Sequence, residues 1–498
     1  MDLDEIKSPL PPRPVNELPP DLDQPVPPPA PTLPPADLPP PSIPVARRPK
    51  LLIPLLAVLL AVFLIFLVIK LLGSIKRKTS GPLTLNYYGL WEESSVIAGL
   101  IADFESKNHG IKINYLKNQK DNYRTRVISK LVKNLDADRI DIFRIHSSWL
   151  PMFKDHLAPL PTATIANLKL DSDFYQVYQR DLKSDSSYLA VPLMYDGLSL
   201  FYNKDLLDTA QVTLPKTWWG LENSAVKLTT KSPTGRIIQA GAALGLTDNV
   251  DHWSDIIGLM LKQNSVDPTK NDAVNLKKLA DILTFYTQFI TKDAVWDSNQ
   301  PNSTLLFANG KLAFYFAPSW RIFDLDALNN PSLRFGITTV PQLATLETAQ
   351  MDQIEAQSST DNLTNIHWAT YWVEAVNRQS PYQKEAWKFL EFLASADSLE
   401  KMYQAAAQIR SFGEIYPRKI LSAKLSTDLR LQAFTAAAHN ASSWYLSSRT
   451  FDQGLNDDMI AYFADAVNKI INDRQDPVKV AADLHVSVKQ LRDRYHFP

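Results

Sequence analysis

The sequence predicts an α/β fold of two lobes, standing behind an apolar span and a proline-rich tail. Three observations carry this. Strand-like and helix-like segments alternate from residue 83 onward, the stretch from 82 to 498 is long, and 18 of the 35 prolines fall in the first 50 residues, ahead of an uncharged run over 51–69. One hydrophobic core rarely grows past about 250 to 300 residues, so the long C-terminal part is expected to divide.

Residues 1–49 are rich in proline and carry Asp2, Asp4, Glu5, Glu17, Asp21, Asp23 and Asp37. Proline fixes φ and removes a donor, so neither helix nor sheet runs across such a segment. An extended, polyproline-II-prone disordered tail is expected, either a ligand for a proline-recognising domain or a spacer. Residues 51–69, LLIPLLAVLLAVFLIFLVI, hold no charge. At about 1.5 Å per residue they reach roughly 28 Å, enough to cross a bilayer. No small-residue cleavage pattern follows, so the reading is an uncleaved transmembrane helix over 50–75 with a linker over 76–82. Arg47, Arg48 and Lys50 on one side balance Lys70, Lys76, Arg77 and Lys78 on the other. Flanking charge therefore does not orient the span, and a long C-terminal domain is free to lie outside.

In the globular part, LTLNYY (83–88), IKINYL (111–116) and RIDIFRI (139–145) read as strands, with helices opened by Ser94 and Asp121 between them. This β-α-β-α-β order implies a mostly parallel sheet with helices on its faces. The stretches 273–291, 381–408, 425–440 and 452–473 are helix-rich.

Several chemistries are excluded. The formal net charge is −1, which leaves no basic footprint for nucleic acid. There is no cysteine, hence no disulfide, thiol nucleophile, Cys-based zinc site or lipidated N-terminal Cys. No G-x-x-x-x-G-K-[ST], G-x-G-x-x-G, H-E-x-x-H or G-x-S-x-G occurs, the eight His are scattered, and Gly is scarce at 15. Phosphate loops, dinucleotide loops and nucleophile elbows have no support, and neither a metal nor a cofactor is expected. The adjacent Asp457 and Asp458 read as solvated charge at a helix start.

Tryptophan is what the chain does supply, 11 residues, all in the globular part. Core packing is the commoner role for any single Trp, and Trp218, Trp219 and Trp387 read as structural. Trp91, His146 and Trp149, however, follow predicted strands. Ligands of open α/β sheets bind outside the carboxyl ends of strands. Aromatic faces beside a few polar groups suit a sugar, whose ring has apolar C–H faces and a hydroxyl rim. Trp320 follows the predicted strand KLAFYFAP, and Pro318 and Ser319 break that strand, so its indole is expected in an exposed loop.

Seven blocks in order, YYGLWEESSVIAGLIADFESKNHGIKINY, DIFRIHSSWLPMF, AVPLMYDGLSLFYNKDLL, LPKTWWGLENSAVKLT, AGAALGLTDNV, LLFANGKLAFYFAPSW and EAWKFLEFLAS, resemble successive signatures of extracellular solute-binding protein family 1. These are the maltose-binding-protein-like sugar receptors of ABC importers. The resemblance spans about residues 82–475. It implies a two-lobe, type II periplasmic-binding-protein-like fold with sugar in the interlobe cleft. The lobes it implies are 83–195 with 367–418, and 196–366 with 419–498, the chain crossing near Tyr195, near Tyr371 and after Arg410. Ligand-binding positions carried over from it are Trp91, Glu92, His146, Trp149, Asp196, Asn249, Trp320, Tyr371, Trp372, Arg410 and Trp444. Asn249 belongs to a G-x-x-x-N loop that also has a structural reading.

The implied partners are a carbohydrate and ABC permease subunits, at the cell membrane, with one pass and the large domain outside. The chain departs from the family in keeping a helix and a proline-rich tail. It also offers His146, Ser147 and Ser148 where an acidic residue often meets sugar hydroxyls. Two other readings stand beside this one. A glycoside hydrolase would need two carboxylates roughly 5 to 10 Å apart, for which Glu92 and Asp196 are the candidates. A sugar receptor that signals through its tail would need no permease.

Overall fold

The computed structural model describes residues 82–133, 135, 138–184, 187–344 and 363–497. The proline-rich tail and the apolar run over 51–69 lie outside them. Among the described residues no helix is long and apolar enough to cross a membrane.

The predicted alternation is present as β1 (Leu83–Leu90), α1 (Ser94–Lys107), β2 (Ile111–Asn118), α2 (Tyr123–Lys133) and β3 (Ile142–His146). Helix α1 turns Val96, Ile97, Leu100 and Phe104 to the core, the three-and-four spacing of one helical face. Ser94 is its first residue and not its cap, and Glu93 before it makes no side-chain capping bond. Strand β1 runs parallel to both β2 and β3.

Further on come α3 (Gln176–Leu182), β4 (Val191–Pro192), β5 (Ser199–Asn203), β6 (Thr230–Lys231), β7 (Ile237–Ala242), α4 (Trp253–Gln263) and α5 (Ala273–Thr291). They are followed by β8 (Leu312–Ala317), α6 (Arg321–Leu328), β9 (Phe335–Thr338) and β10 (Trp372–Val376). The strands form two five-stranded sheets, ordered β2-β1-β3-β10-β4 and β9-β5-β8-β7-β6. Each sheet centres one lobe. The sheets are mixed and not mostly parallel: β10 is antiparallel to β3 and β4, and only β7–β8 is parallel in the second sheet. The reason is topological, since a strand re-entering a sheet from the other lobe arrives in the opposite sense.

Segments between the sheets run side by side. Tyr195 bridges Ile415, and Gly197 bridges Ala369. Gly197 is required there, because a Cβ would lie 2.3 Å from the Trp368 carbonyl oxygen. The helix-rich C-terminal half is more broken than its composition suggests. Residues 381–408 hold α7 (Gln383–Leu393) and α8 (Ala396–Ala406), parted where Ser395 accepts from the Ser398 amide and caps the second helix. Only Gln432–Ala438 is regular helix within 425–440. The last two helices, α9 (Leu455–Ile471) and α10 (Pro477–Tyr495), pack on each other and on α5.

Trp387 is buried on α7, and Trp218 stacks on Phe316 at 5.5 Å while its indole N–H donates to Gln263. Trp219 departs from its expected structural role. One helical position on from Trp218, it turns to the surface, 37% exposed.

Candidate binding site

A cavity of about 440 Å³ opens at the ends of β1, β3 and β8, between the two sheets. One wall is aromatic, and the strand register builds it. Trp372 on β10 lies opposite His146 on β3, which puts their rings on one face with centroids 5.2 Å apart. Trp91 and Trp149, from the loops after β1 and β3, meet Trp372 edge-on at 5.1 and 5.3 Å. Trp91 holds a left-handed backbone, φ 51°, as the chain turns out of β1. Beneath this wall the next opposed pair on the same face, Arg144 and Glu374, forms an ion pair at 2.6 Å.

The facing wall follows β8. Pro318, Ser319 and Trp320 leave the strand and α6 begins at Arg321. Trp320 is half-buried. The Arg321 guanidinium sits over its ring at 4.4 Å, and the His252 ring meets it edge-on at 5.5 Å. Arg321 also pairs with Asp251 at 3.0 Å and Asp324 at 2.7 Å, and Arg449 reaches Asp251 at 2.8 Å. Burial alone would raise the Asp251 carboxyl, but the Arg321 guanidinium and a Thr304 hydroxyl hold it well below the usual carboxylate range. At the rim Arg410 pairs with Glu414 at 3.0 Å, and Phe323 stacks on Phe412 at 4.5 Å.

Two buried groups at the cavity floor have shifted protonation equilibria. His146 Nδ1 accepts from the Ser148 amide at 3.2 Å, so the ring proton lies on Nε2, which faces Thr370 Oγ1 at 3.1 Å. Burial drives this imidazole down to about 3, and it is neutral at ordinary pH. Asp196 Oδ1 accepts from the Gly197 and Ser319 amides at 2.7 and 3.0 Å. Burial outweighs these donors and pushes its carboxyl up to about 7.

Of the residues the sequence nominated, the cavity brings together Trp91, His146, Trp149, Asp196, Trp320, Trp372 and Arg410. Four others do not line it. Glu92 is buried behind Arg410, its carboxylate 3.7 Å away. Asn249 has its amide fully used, donating to the Asp297 and Gln300 carbonyls and accepting from the Trp296 indole, so its role is to hold a loop. Tyr371 points away from its neighbours Thr370 and Trp372 and donates to Asp181 at 2.6 Å. Trp444 packs against Tyr445, Phe463 and Phe497. Arg321, His252, Glu414 and Arg449 line the cavity and were not nominated. Their signal was present only as position, Arg321 beside Trp320 and His252 beside Trp253. Among the described residues no group of three or more His, Asp or Glu could hold a metal ion.

Residues 99–419, more than half of the chain, match the family of bacterial extracellular solute-binding proteins, and the chain belongs to that family. Solved structures of the same shape include the sugar-binding protein MalE of Xanthomonas citri, at 18% identity and a TM-score of 0.64, over 83% of this chain and 98% of that one. The cyclic α-maltosyl-1,6-maltose binding protein of Arthrobacter globiformis aligns at 15% identity and 0.63, over 83% and 100%. The GacH receptor of Streptomyces glaucescens, solved unliganded and with acarbose, aligns at 17% and 0.60, over 83% and 99%. At these identities the likeness establishes the two-lobe fold.

Proposed function

We propose that this chain captures an uncharged short oligosaccharide in the cavity between its sheets and delivers it to an ABC importer. Convergence carries the reading. Trp91, Trp372 and Trp320 surround one cavity, with the buried Trp149 backing Trp372, and its arginines are all paired with carboxylates. Indole faces suit the C–H faces of a sugar ring, and paired charges offer hydroxyls fixed donors and acceptors without a net field. The cavity lies within the 300–1,000 Å³ typical of small-ligand sites. The solved relatives that bind maltose-type sugars and acarbose agree with this ligand class.

The chain acts as a receptor and not as an enzyme. Glu92, which a hydrolase would pair with Asp196, is withdrawn behind Arg410. The apolar run over 51–69 anchors the protein in the membrane with residues 82–498 outside, and the proline-rich tail lies in the cytoplasm. The proposed lobes are 83–195 with 367–418, and 196–366 with 419–498.

Trp320 is the stacking platform. Calorimetry with a panel of maltose-type and other short oligosaccharides should find a ligand for the full-length chain. Trp320→Ala should then weaken it by about a hundredfold, the loss expected of an anchoring aromatic, with melting close to wild type. A large drop in melting temperature with binding retained would make Trp320 a core residue. Protease added to intact cells should digest the large domain; digestion only after permeabilisation would refute the external placement.

A further inference from the structure

Trp444, which does not line the first cavity, lines a second one, and the Tyr371 hydroxyl donates to Asp181 in its wall. It holds about 460 Å³ and shares no lining residue with the first. The two lie back to back. In the turn after β3, His146 and Trp149 face the first cavity, and Ser147 and Ser148 face the second.

Its charges are arranged differently from those of the first. Lys154, Arg180, Lys183 and Lys262 line it against two carboxylates, Asp181 and Asp267. Neither carboxylate forms an ion pair among the described residues. Asp181 accepts from the Tyr371 and Ser443 hydroxyls, at 2.6 and 2.5 Å. Asp267 closes a turn by accepting from the Thr269 amide and hydroxyl. Of the four cations, Lys183 pairs with Asp171 at 2.6 Å. Arg180 donates to the Ala441 carbonyl and the Ser442 hydroxyl. Among the described residues neither Lys154 nor Lys262 forms an ion pair or hydrogen bond through its ammonium group, although Asp181 and Asp267 lie near enough to Lys262 to favour its charge. Lys262 is half-buried, and burial drives its ammonium down from the usual lysine range. The half-buried ring of Trp444 completes the lining.

We propose that this second cavity binds a small phosphorylated sugar, its phosphate among Lys154, Arg180 and Lys262 and its ring against Trp444. A phosphate monoester answers an excess of cations over carboxylates, four against two in this lining, and guanidinium and ammonium groups bond its oxygens with charge assistance. The indole takes a ring face, and Asp181 and Asp267 remain to accept ring hydroxyls. A free oligosaccharide leaves the cations without a counter-charge, so this site is distinct in ligand as well as in place.

The test is calorimetry on the full-length chain in detergent at low salt, with glucose 6-phosphate, inorganic phosphate and glucose as probes. Glucose 6-phosphate should bind most tightly. Lys154→Gln together with Lys262→Gln should weaken it by about tenfold or more, as expected for two lost charge-assisted contacts. Neither lysine lines the first cavity, so the binding of neutral oligosaccharide there should stay as in wild type. Trp320→Ala should leave glucose 6-phosphate binding intact. The proposal is overturned by absence of glucose 6-phosphate binding at millimolar concentration, by unchanged affinity in the double variant, or by loss of that binding in Trp320→Ala. Equal affinity for inorganic phosphate would overturn the role given to Trp444.

Discussion

The two cavities are nearly equal in size, about 440 and 460 Å³, and opposite in their treatment of charge. In the first, each lining arginine has a carboxylate within ion-pair reach: Arg321 has Asp251 and Asp324, Arg410 has Glu414, and Arg449 has Asp251. In the second, the carboxylates are held by hydroxyls and amides, and four cations face only two of them. Charges paired inside the protein behave as oriented hydrogen-bonding groups with little outward field. Unpaired ones call for a counter-ion from the ligand. Pairing, and not the number of charged residues, therefore separates a surface fit for neutral hydroxyls from one fit for an anion.

The largest test of this comparison lies under the aromatic wall. Arg144 and Glu374 are both buried, and the Arg144 guanidinium also lies 5.5 Å from the Trp91 ring. Arg144→Met leaves the Glu374 charge buried without a partner, which should cost about 3–5 kcal/mol of folding stability. Replacing both, Arg144→Met with Glu374→Leu, should recover most of that, because an apolar pair of similar volume can substitute for a buried ion pair. Denaturant unfolding of the two variants decides it. A single variant as stable as wild type would mean that pairing in this wall does not matter to the fold.

That pair also shows what the sequence could and could not tell. Strand β3 was legible from its apolar run, and His146 and Trp149 were legible as residues past its end. The register that sets Glu374 against Arg144 and Trp372 against His146 involves a strand 230 positions away, and nothing local encodes it. The same ignorance explains Tyr371. On an extended chain adjacent side chains point to opposite sides, so of Thr370, Tyr371 and Trp372 the middle one must leave the cavity. Sequence resemblance nominated both Tyr371 and Trp372, as it had no means to choose the side. Trp444 was misplaced for a further reason: Phe463 and Phe497, which hold it, come from the last helix-rich stretch and the chain end. The helix over 273–291 was read correctly because its periodic burial is a local property.

Asp196 is the exception within the first cavity, a lining carboxylate with amide donors and no arginine. Its ordinary value is 3.8, and burial raises it to about 7 in the folded chain. Between these values the native state holds a proton that the unfolded state has lost. The stabilisation is complete below about pH 4, declines as pH rises, and is gone above about pH 7. Asp196→Asn keeps an oxygen for the Ser319 and Gly197 amides and cannot ionise. Relative to wild type it should gain up to about 1.4 kcal/mol per pH unit across that window and level off above it. Subtracting the two urea-unfolding profiles cancels His146 and Asp452, which titrate in both proteins. A flat difference would show that Asp196 ionises freely and that the first cavity tolerates an unpaired charge.

The smallest expected effect is also the most direct comparison, because it is an absence in one cavity set against a presence in the other. Raising salt from about 0.01 to about 1 M shortens the screening length from roughly 30 to roughly 3 Å. A neutral oligosaccharide in the first cavity meets arginines already neutralised at 2.7 to 3.0 Å by Asp251, Asp324 and Glu414. Its affinity should change by less than about twofold, since the cavity's arginines are paired and its one lining lysine, Lys120, lies over the Phe451 ring. Glucose 6-phosphate in the second cavity should weaken steeply over the same range, because the four lining cations outnumber the two lining carboxylates, Asp181 and Asp267. One salt series with both ligands on one protein sample reads both. Strong salt dependence of the oligosaccharide would show that the first cavity carries an exposed field after all, and that its pairing does not persist when the ligand is bound.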